Sequence, residues 1–244
     1  MRSTSNVRIA ILADVHANLL AFSAVLVDAR WRGCERVYHA GDLIGIGPYP
    51  AEVIDLARSN GIICVQGNHE AWVTTGLPPD PIPGLQDDAE LMHQHWTHSH
   101  LDQARRDFIR GLPHAISETI NGIHLVVVHF ALAADGRSLK DASPRWGDAE
   151  ILDLFVDTPG ALVCFGHLHE RRFNCACHGR HFLNPGAVGC SHRSEASYAI
   201  IDVTDGQFAI EERQVAYERG LLLARYDELE IPARNFIRKV FFGA

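Results

Sequence analysis

Five apolar runs in this chain end on acidic, amide or imidazole side chains, and this recurrence constrains the fold more than any other feature. Short apolar runs bounded by turns are typical of strands that are buried on both faces. The polar residues are therefore predicted at the ends of buried strands. In chain order, the five endings are ADVH at 13–16, HAGD at 39–42, GNHE at 67–70, VVVH at 126–129 and GHLH at 166–169.

Strand-like and helix-like patterns alternate along the first part of the chain. The strand Ile9–Ala13 is followed by a helical pattern at Leu19–Arg30, a short strand at Arg36–His39, a helix at Ala51–Ser59 and a strand at Ile62–Val65. This βαβαβ order predicts a sheet that is at least partly parallel.

The second half of the chain is dominated by strands. The turn Asn121-Gly122 lies between the strands Ala115–Thr119 and Ile123–His129 and predicts a hairpin. A helix is predicted at Asp148–Val156. Together with the first part, this pattern predicts an α/β domain with two sheets and helices outside them. Five further strands are predicted at 161–165, 171–176, 179–183, 197–203 and 208–215.

The pattern predicts a single domain over residues 1–244, with a helical insertion or cap at about 71–112 and a helical tail at about 216–244. Proline, glycine and aspartate between Thr74 and Gln86 predict a loop, and two helices are expected at Asp87–His98 and Leu101–Gly111. The four histidines at 93–100 lie on different faces of a helix, which favours a solvated lid over a metal site. The amphipathic tail is expected to break at Pro232 and to pack either on its own core or on a second copy in a homo-oligomer.

Charge and hydropathy exclude several classes of function. The net charge of −8 and the absence of a stripe rich in lysine and arginine argue against nucleic acid as a partner. No apolar run is long enough for a membrane span or a signal peptide, so a cytoplasmic protein is expected. A phosphate ester would be repelled by such an acidic chain unless bound divalent cations supplied positive charge at the site. Six cysteines are present, and a disulfide scaffold is not expected at this length.

The polar strand ends are predicted to meet, because sites in parallel α/β sheets form at the carboxyl ends of strands. Asp14 and His16 are two residues apart in an extended segment, so both side chains can reach one ion. Taken alone, Asn68 is explained as well by a helix N-cap and His129 by a buried histidine. Their joint occurrence favours a metal site instead. Its seven predicted ligands are Asp14, His16, Asp42, Asn68, His129, His167 and His169.

The ordered motifs DVHAN, GDLIGIGPYP, GNHE, VVVHF and GHLH closely resemble those of the calcineurin-like metallophosphoesterases. The later NPGAVG and SYAIID resemble the compact bacterial and archaeal branch that is often described as phosphodiesterases. The resemblance extends from Ile9 to about Leu221. It implies a four-layer αββα sandwich, in which two mixed sheets are flanked by helices.

The resemblance also implies two ligand sets and a mechanism. One metal ion would be held by Asp14, His16 and His169, and the other by Asn68, His129 and His167. Asp42 would bridge the two ions together with a water or hydroxide, which is the expected nucleophile. His69 would face the substrate as the catalytic acid, and Asn18 would help to position the substrate. The mixed ligands suit two borderline divalent ions, with Mn²⁺, Fe²⁺ and Zn²⁺ as alternatives.

Two positions depart from the family pattern. Phe130 stands where relatives usually have glycine, and it is expected to narrow the pocket. After NPGAVG, relatives often carry an arginine-containing segment similar to QPRDG, whereas this chain has CSHRS at 190–194. Arg193 is the candidate for contacting the phosphate there.

The predicted function is metal-dependent hydrolysis of phosphate esters, most simply as a phosphodiesterase or phosphatase acting on small molecules. Hydrolysis of dinucleoside polyphosphates and of phosphoserine or phosphothreonine on proteins remain alternatives, since all of these reactions use the same metal core. A non-catalytic protein-binding scaffold is a further alternative. The presence of all seven ligand positions and of His69 argues against it.

Overall fold

The computed structural model describes residues 6–76, 88–141 and 146–244. The first sheet contains the three parallel strands that were predicted from the βαβαβ pattern, with an antiparallel pair added beside the first of them. Its strand order is β10-β9-β1-β2-β3. Its strands are β1 (Val7–Leu12), β2 (Arg36–His39), β3 (Ile63–Cys64), β9 (Glu195–Thr204) and β10 (Gln207–Ala216).

The second sheet is also mixed and follows the order β4-β5-β6-β8-β7. Its three central strands β5, β6 and β8 are parallel, and both edge strands are antiparallel to their neighbours. The predicted hairpin at Asn121-Gly122 joins the first two strands. The strands are β4 (Ala115–Ile120), β5 (Ile123–Val128), β6 (Leu162–Cys164), β7 (Phe173–Cys177) and β8 (Arg180–Asn184).

The helices lie outside the two sheets. The N-cap of α1 is Asn18, whose side chain accepts a hydrogen bond from the backbone of Ala21. The tail contains two helices separated by a break that includes Pro232, as predicted. The helices are α1 (Leu19–Trp31), α2 (Pro50–Ser59), α3 (Asn68–Thr75), α4 (Asp88–Ser99), α5 (Gln103–Arg110), α6 (Asp148–Asp153), α7 (Arg219–Glu228) and α8 (Arg234–Phe242).

Three apolar clusters define four layers. Ile9 and Ile11 of β1 pack between the sheets, whereas the alternating residues Ala10 and Leu12 pack outward under the helices α1, α2, α7 and α8. On the far side, the second sheet packs against α6 and its C-terminal extension around Phe155. The predicted four-layer α/β sandwich of two mixed sheets is therefore confirmed.

All ten predicted strands are present, with ends shifted by one or two residues. The predicted loop at 74–86 lies mostly outside the described residues. The helix α4 is solvated on one face only, because His93, Gln94 and Thr97 are buried whereas Met92 and His95 are exposed. The tail packs on its own chain, with Tyr226 buried in the apolar cluster between the first sheet and its helices. None of the described helices combines the length and apolarity that a bilayer crossing requires.

Candidate metal centre

The loops that follow β1 and β2 are held side by side by backbone hydrogen bonds. The backbone N–H of Asp14 donates to the carbonyl of Gly41 (3.1 Å), and that of His16 donates to the carbonyl of Asp42 (2.9 Å). The backbone N–H of His167 donates to both carboxylate oxygens of Asp14 (3.1 Å each), which ties in the loop after β6. The structure thus brings all seven predicted ligands to one place between the carboxyl ends of the two sheets.

One group of donor atoms surrounds His129. Its Nε2 atom lies 3.0 Å from Oδ1 of Asn68, 3.2 Å from Nδ1 of His167 and 3.3 Å from Oδ2 of Asp42. Nδ1 of His167 also lies 3.2 Å from Oδ1 of Asn68. Bonds of about 2.1 Å to one ion place neighbouring ligand atoms roughly 3–3.5 Å apart. The spacing of these four side chains therefore suits a shared ion.

A second group surrounds His16. Its Nε2 atom is 2.9 Å from Nε2 of His169, 3.8 Å from Oδ2 of Asp42 and 4.0 Å from Oδ1 of Asp14. Nε2 of His169 is 3.9 Å from the same oxygen of Asp14. Asp42 thus lies between the two groups, in the position expected for a bridging carboxylate.

Backbone carbonyls select the tautomers of two central histidines. Nδ1 of His129 lies 2.8 Å from the carbonyl of Ala40, and Nδ1 of His16 lies 3.3 Å from the carbonyl of Ile44. A carbonyl only accepts, so in the neutral rings the proton sits on Nδ1 and the Nε2 lone pair points into the centre. There it faces other acceptors, including Asn68. Such a convergence of lone pairs fits a bound cation.

The buried carboxylates also favour a bound cation at this centre. Asp14 is fully buried, and burial raises its pKa to about 7. Burial opposes protonation of His129, but the charge and hydrogen bond of Asp42 outweigh it and raise the pKa of His129 to about 9. Within the described residues, all ion pairs of Asp14 and Asp42 are with histidines. Buried carboxylates require compensating positive charge, and divalent cations would supply it.

The backbone is left-handed at five of the seven predicted ligands. Most residues avoid this region because Cβ approaches the carbonyl oxygen, although aspartate and histidine tolerate it better than most. These dihedral angles turn consecutive side chains of the strand-end loops toward one point. The five are Asp14 (φ 54°), His16 (46°), Asp42 (59°), His167 (71°) and His169 (61°).

His69 lies at the edge of the same centre. Its backbone N–H donates to Oδ1 of Asp42 (3.0 Å), and its ring stacks at a tilt on Trp72, with 4.6 Å between the ring centroids. Nδ1 of His69 is 3.4 Å from the side-chain amide of Gln94, which comes from α4. A Cβ at Gly45 would collide with the His69 ring, so this position of the ring requires glycine at residue 45. A ring nitrogen of His69 lies within 4.8 Å of ligand atoms of His16 and Asp42.

Asn18 connects two loops of the centre. Its side chain is fully buried. Nδ2 donates to the carbonyl of Gly189 (2.9 Å), and Oδ1 accepts from the backbone of Ala21 (3.1 Å). Both polar ends are used within the chain, so Asn18 joins two loops of the centre, and its part in positioning the substrate stays a prediction. Arg193 is exposed in the loop before β9, and its contact with a phosphate stays a prediction.

The position of Phe130 differs from the expectation that this residue narrows the pocket. It is fully buried and does not line the pocket. Its ring packs edge-on against Phe155, with 5.3 Å between the centroids, and at a tilt against the ring of His167 at 5.0 Å. The residue fills the core under the second sheet and supports a predicted ligand from behind.

Two buried polar residues that organise the centre were missed in the sequence, although both lie in quoted motifs. Glu70 is fully buried, and its carboxylate accepts hydrogen bonds from the backbone of the Asp42 loop. Its position at the third residue of α3 after Gly67, a capping-box position, was the available signal. Asn184 donates to the carbonyl of Gly166 (2.9 Å) and thereby positions the loop that carries His167 and His169.

Comparison with known proteins is consistent with this geometry. The family model of the calcineurin-like phosphoesterase superfamily domain matches residues 7–206. An uncharacterised protein of Methanocaldococcus jannaschii is 30% identical over 226 residues, which covers 86% of this chain and 88% of the relative.

Two crystal structures superpose over nearly the whole chain. The metallophosphoesterase from Sphaerobacter thermophilus is 26% identical with a TM-score of 0.69, and the alignment covers 98% of this chain and 99% of that one. A protein from Pyrococcus horikoshii OT3 is 17% identical with a TM-score of 0.79 and the same coverage of both chains, which shows a shared fold.

Proposed function

The chain belongs to the calcineurin-like phosphoesterase superfamily, and we propose that it hydrolyses small phosphodiesters or phosphomonoesters at a centre of two divalent cations. The observation that carries the proposal is the position of Asp42. Its Oδ2 atom lies 3.3 Å from Nε2 of His129 on one side and 3.8 Å from Nε2 of His16 on the other. One carboxylate therefore joins two separate groups of donor atoms.

Each group would hold one cation. Three of the side chains, Asn68, His167 and His169, are half-buried, whereas the carboxylates are buried. The open side gives a phosphate ester access, and the buried side excludes water from the ligands. The first ion would be held by Asp14, His16 and His169, the second by Asn68, His129 and His167, with Asp42 shared.

When bound, two divalent cations stabilise negative charge on a phosphoryl group and lower the pKa of a water molecule between them. The protein supplies the remaining groups. His69 borders the centre without a metal-holding role in the proposal, so the ring nitrogen that Gln94 does not contact is the group that donates a proton to the leaving oxygen. Gln94 holds the other nitrogen of that ring.

The first test measures metal dependence. Purified protein freed of metal with a chelator is assayed on an aryl phosphodiester and an aryl phosphomonoester, with and without Mn²⁺, Fe²⁺ or Zn²⁺. Activity is expected only with metal, and Asp42→Ala is expected to abolish both activity and binding of the second equivalent of metal. Asp157→Ala, at a side chain that is 85% exposed, is the matched control and should behave as the native protein. Full activity in metal-free protein would refute the proposal.

A second test separates the role of His69 from that of a ligand. His69→Ala is expected to reduce turnover by about 10²–10⁴-fold while both metal ions remain bound. If metal content falls instead, His69 is itself a ligand. A panel of a diester, a monoester, diadenosine tetraphosphate and a phosphoserine peptide, assayed on the same preparation, ranks the substrate classes.

A further inference from the structure

A cysteine thiol lies beside one of the two donor groups. The Sγ atom of Cys190 and ligand atoms of His16 and His169 are all within 4.8 Å of one another. In the part of the chain that the structure describes, this is the one cluster of three potential ligands that includes a cysteine. The thiol is buried and forms no disulfide. It lies next to the donor group of Asp14, His16 and His169.

The backbone fixes the position of this thiol. The N–H of Val188 donates to the carbonyl of Ala13, and that of Gly189 donates to the carbonyl of Asp14, both at 2.9 Å. The side chain of Asn18 holds the carbonyl of Gly189 from the other side, also at 2.9 Å. A Cβ at Gly189 would collide with the backbone of Val15, so the close approach requires glycine. Cys190 is therefore carried on a loop that is bonded directly to the ligand loop.

The arrangement of the two histidines suits a cation at this point. The Nε2 atoms of His16 and His169 face each other at 2.9 Å. Nδ1 of His16 faces the carbonyl of Ile44, which assigns the lone pair of the neutral ring to Nε2. Two nitrogen ligands of one ion lie roughly 3–3.5 Å apart, so this distance suits coordination of one ion by both rings. The thiol lies on the edge of the same pair.

We propose that Cys190 supplies a sulfur ligand to the ion held by Asp14, His16 and His169, which makes this half of the centre selective for thiophilic metals. The inference rests on the metal centre proposed above. On binding, the S–H bond breaks, its proton passes to the solvent, and a sulfur lone pair forms the bond to the cation. Thiolate ligands favour Zn²⁺, Co²⁺ and Fe²⁺ over Mn²⁺. The two sites would then differ in metal preference, because the group around Asn68 contains only nitrogen and oxygen donors.

The test uses the full-length protein loaded with Co²⁺ after removal of other metals. A cobalt–thiolate bond gives a charge-transfer absorption band in the near ultraviolet, which imidazole and carboxylate ligands do not give. The band is expected in the native protein and in the control Cys177→Ser, a half-buried cysteine on β7. It is expected to be lost in Cys190→Ser and Cys190→Ala, with the weaker visible bands of bound cobalt retained. A native protein that binds cobalt without the band overturns the proposal, as does a band that survives in Cys190→Ser.

A second measurement does not depend on the variants folding. X-ray absorption of the native protein with Zn²⁺ should require one sulfur neighbour at about 2.3 Å, and a shell of nitrogen and oxygen alone contradicts the inference.

In Cys190→Ser, the preference for Zn²⁺ over Mn²⁺ should fall by about tenfold or more. Phosphoesterase activity with two metal ions but no sulfur signal would leave the proposed function standing and remove only Cys190 as a ligand. A protein that binds no metal would overturn both.

Discussion

Glu70 accepts a 2.9 Å hydrogen bond from the backbone nitrogen of Asp42. The same oxygen accepts from the backbone of Gly67 at 2.8 Å, and the other oxygen accepts from that of Ile44 at 3.0 Å. One buried carboxylate therefore organises both the loop that presents Asp42 and the start of α3, where Asn68 and His69 lie. The positions of the proposed ligands thus depend on a residue that is not itself a proposed ligand.

Glu70→Gln is expected to weaken metal binding by about 10–100-fold, which is the range found when groups that orient metal ligands are lost. The amide has one acceptor oxygen, and its NH₂ group would face a backbone N–H, so at least one of the three hydrogen bonds is lost. Isothermal titration of the metal-free protein measures the change. Glu52→Gln, at an exposed position of α2, is the control and should bind as the native protein does. Equal affinities in the two variants would show that Glu70 does not position the ligand loops.

Gln94→Leu is expected to lower kcat by about tenfold with little change in KM or metal content. The side chain is buried, and it is the partner of Nδ1 of His69. Without it, the His69 ring loses the contact that fixes its rotation and its tautomer, while the proposed ligands are untouched. Steady-state kinetics and metal analysis on one preparation check this. Gln103→Leu, on the exposed side of α5, provides the comparison. A loss of metal in Gln94→Leu would contradict a role through His69 alone.

Phe130→Ala is expected to destabilise the fold by about 3–5 kcal/mol, because it opens a cavity in a fully buried aromatic cluster. Urea unfolding monitored by circular dichroism measures this. Leu221→Ala, at a leucine that is 63% exposed, should change stability by less than about 0.5 kcal/mol. If Phe130→Ala instead kept its stability and accepted bulkier substrates, Phe130 would be part of the pocket wall.

Asp28→Asn is expected to destabilise the protein by about 1–2 kcal/mol at neutral pH and progressively less in acid. Burial favours the neutral acid, but hydrogen bonds from Tyr198 and Arg32 outweigh it and lower the pKa of Asp28. The stabilisation by this carboxylate is complete above the unfolded pKa of about 3.9 and is lost as the pH falls through the lower folded pKa.

Urea unfolding of the native protein and of Asp28→Asn at about pH 7 and at successively lower pH values tests this dependence. Metal content should be the same in both proteins, because Asp28 lies on α1, away from the centre. A stability difference that grew as the pH fell would contradict the assignment.

The strand ends explain why so much of the centre was predictable. Asp14 and His16 follow a strand of clear apolar pattern. The parallel order of β1, β2 and β3 is enough to bring together the loops that follow these strands. Local pattern also located the helical tail and its break. These features depend on residues close in sequence, where strand and helix periodicity is informative.

The remaining features depend on contacts between distant residues. Gln94 of α4 contacts His69 of α3 across 25 positions of sequence, and no local pattern indicates that contact. Asn18 caps a helix and donates a hydrogen bond to the carbonyl of Gly189, which is 171 residues away, so its motif position alone does not reveal this contact. Cys190 lies near His16 and His169 because the loop at 184–190 is hydrogen-bonded to the loop after β1, and no local pattern indicates that contact. In each case, the function of the residue is set by the tertiary neighbour.

The left-handed backbone at Asp14, His16, Asp42, His167 and His169 has an evolutionary consequence. Each such residue costs the fold up to about 1 kcal/mol relative to a glycine, which adopts this conformation freely. Mutational drift in a lineage released from catalysis would therefore find stabilising replacements at these very positions. Selection for stability and selection for the ligand set act in opposite directions here.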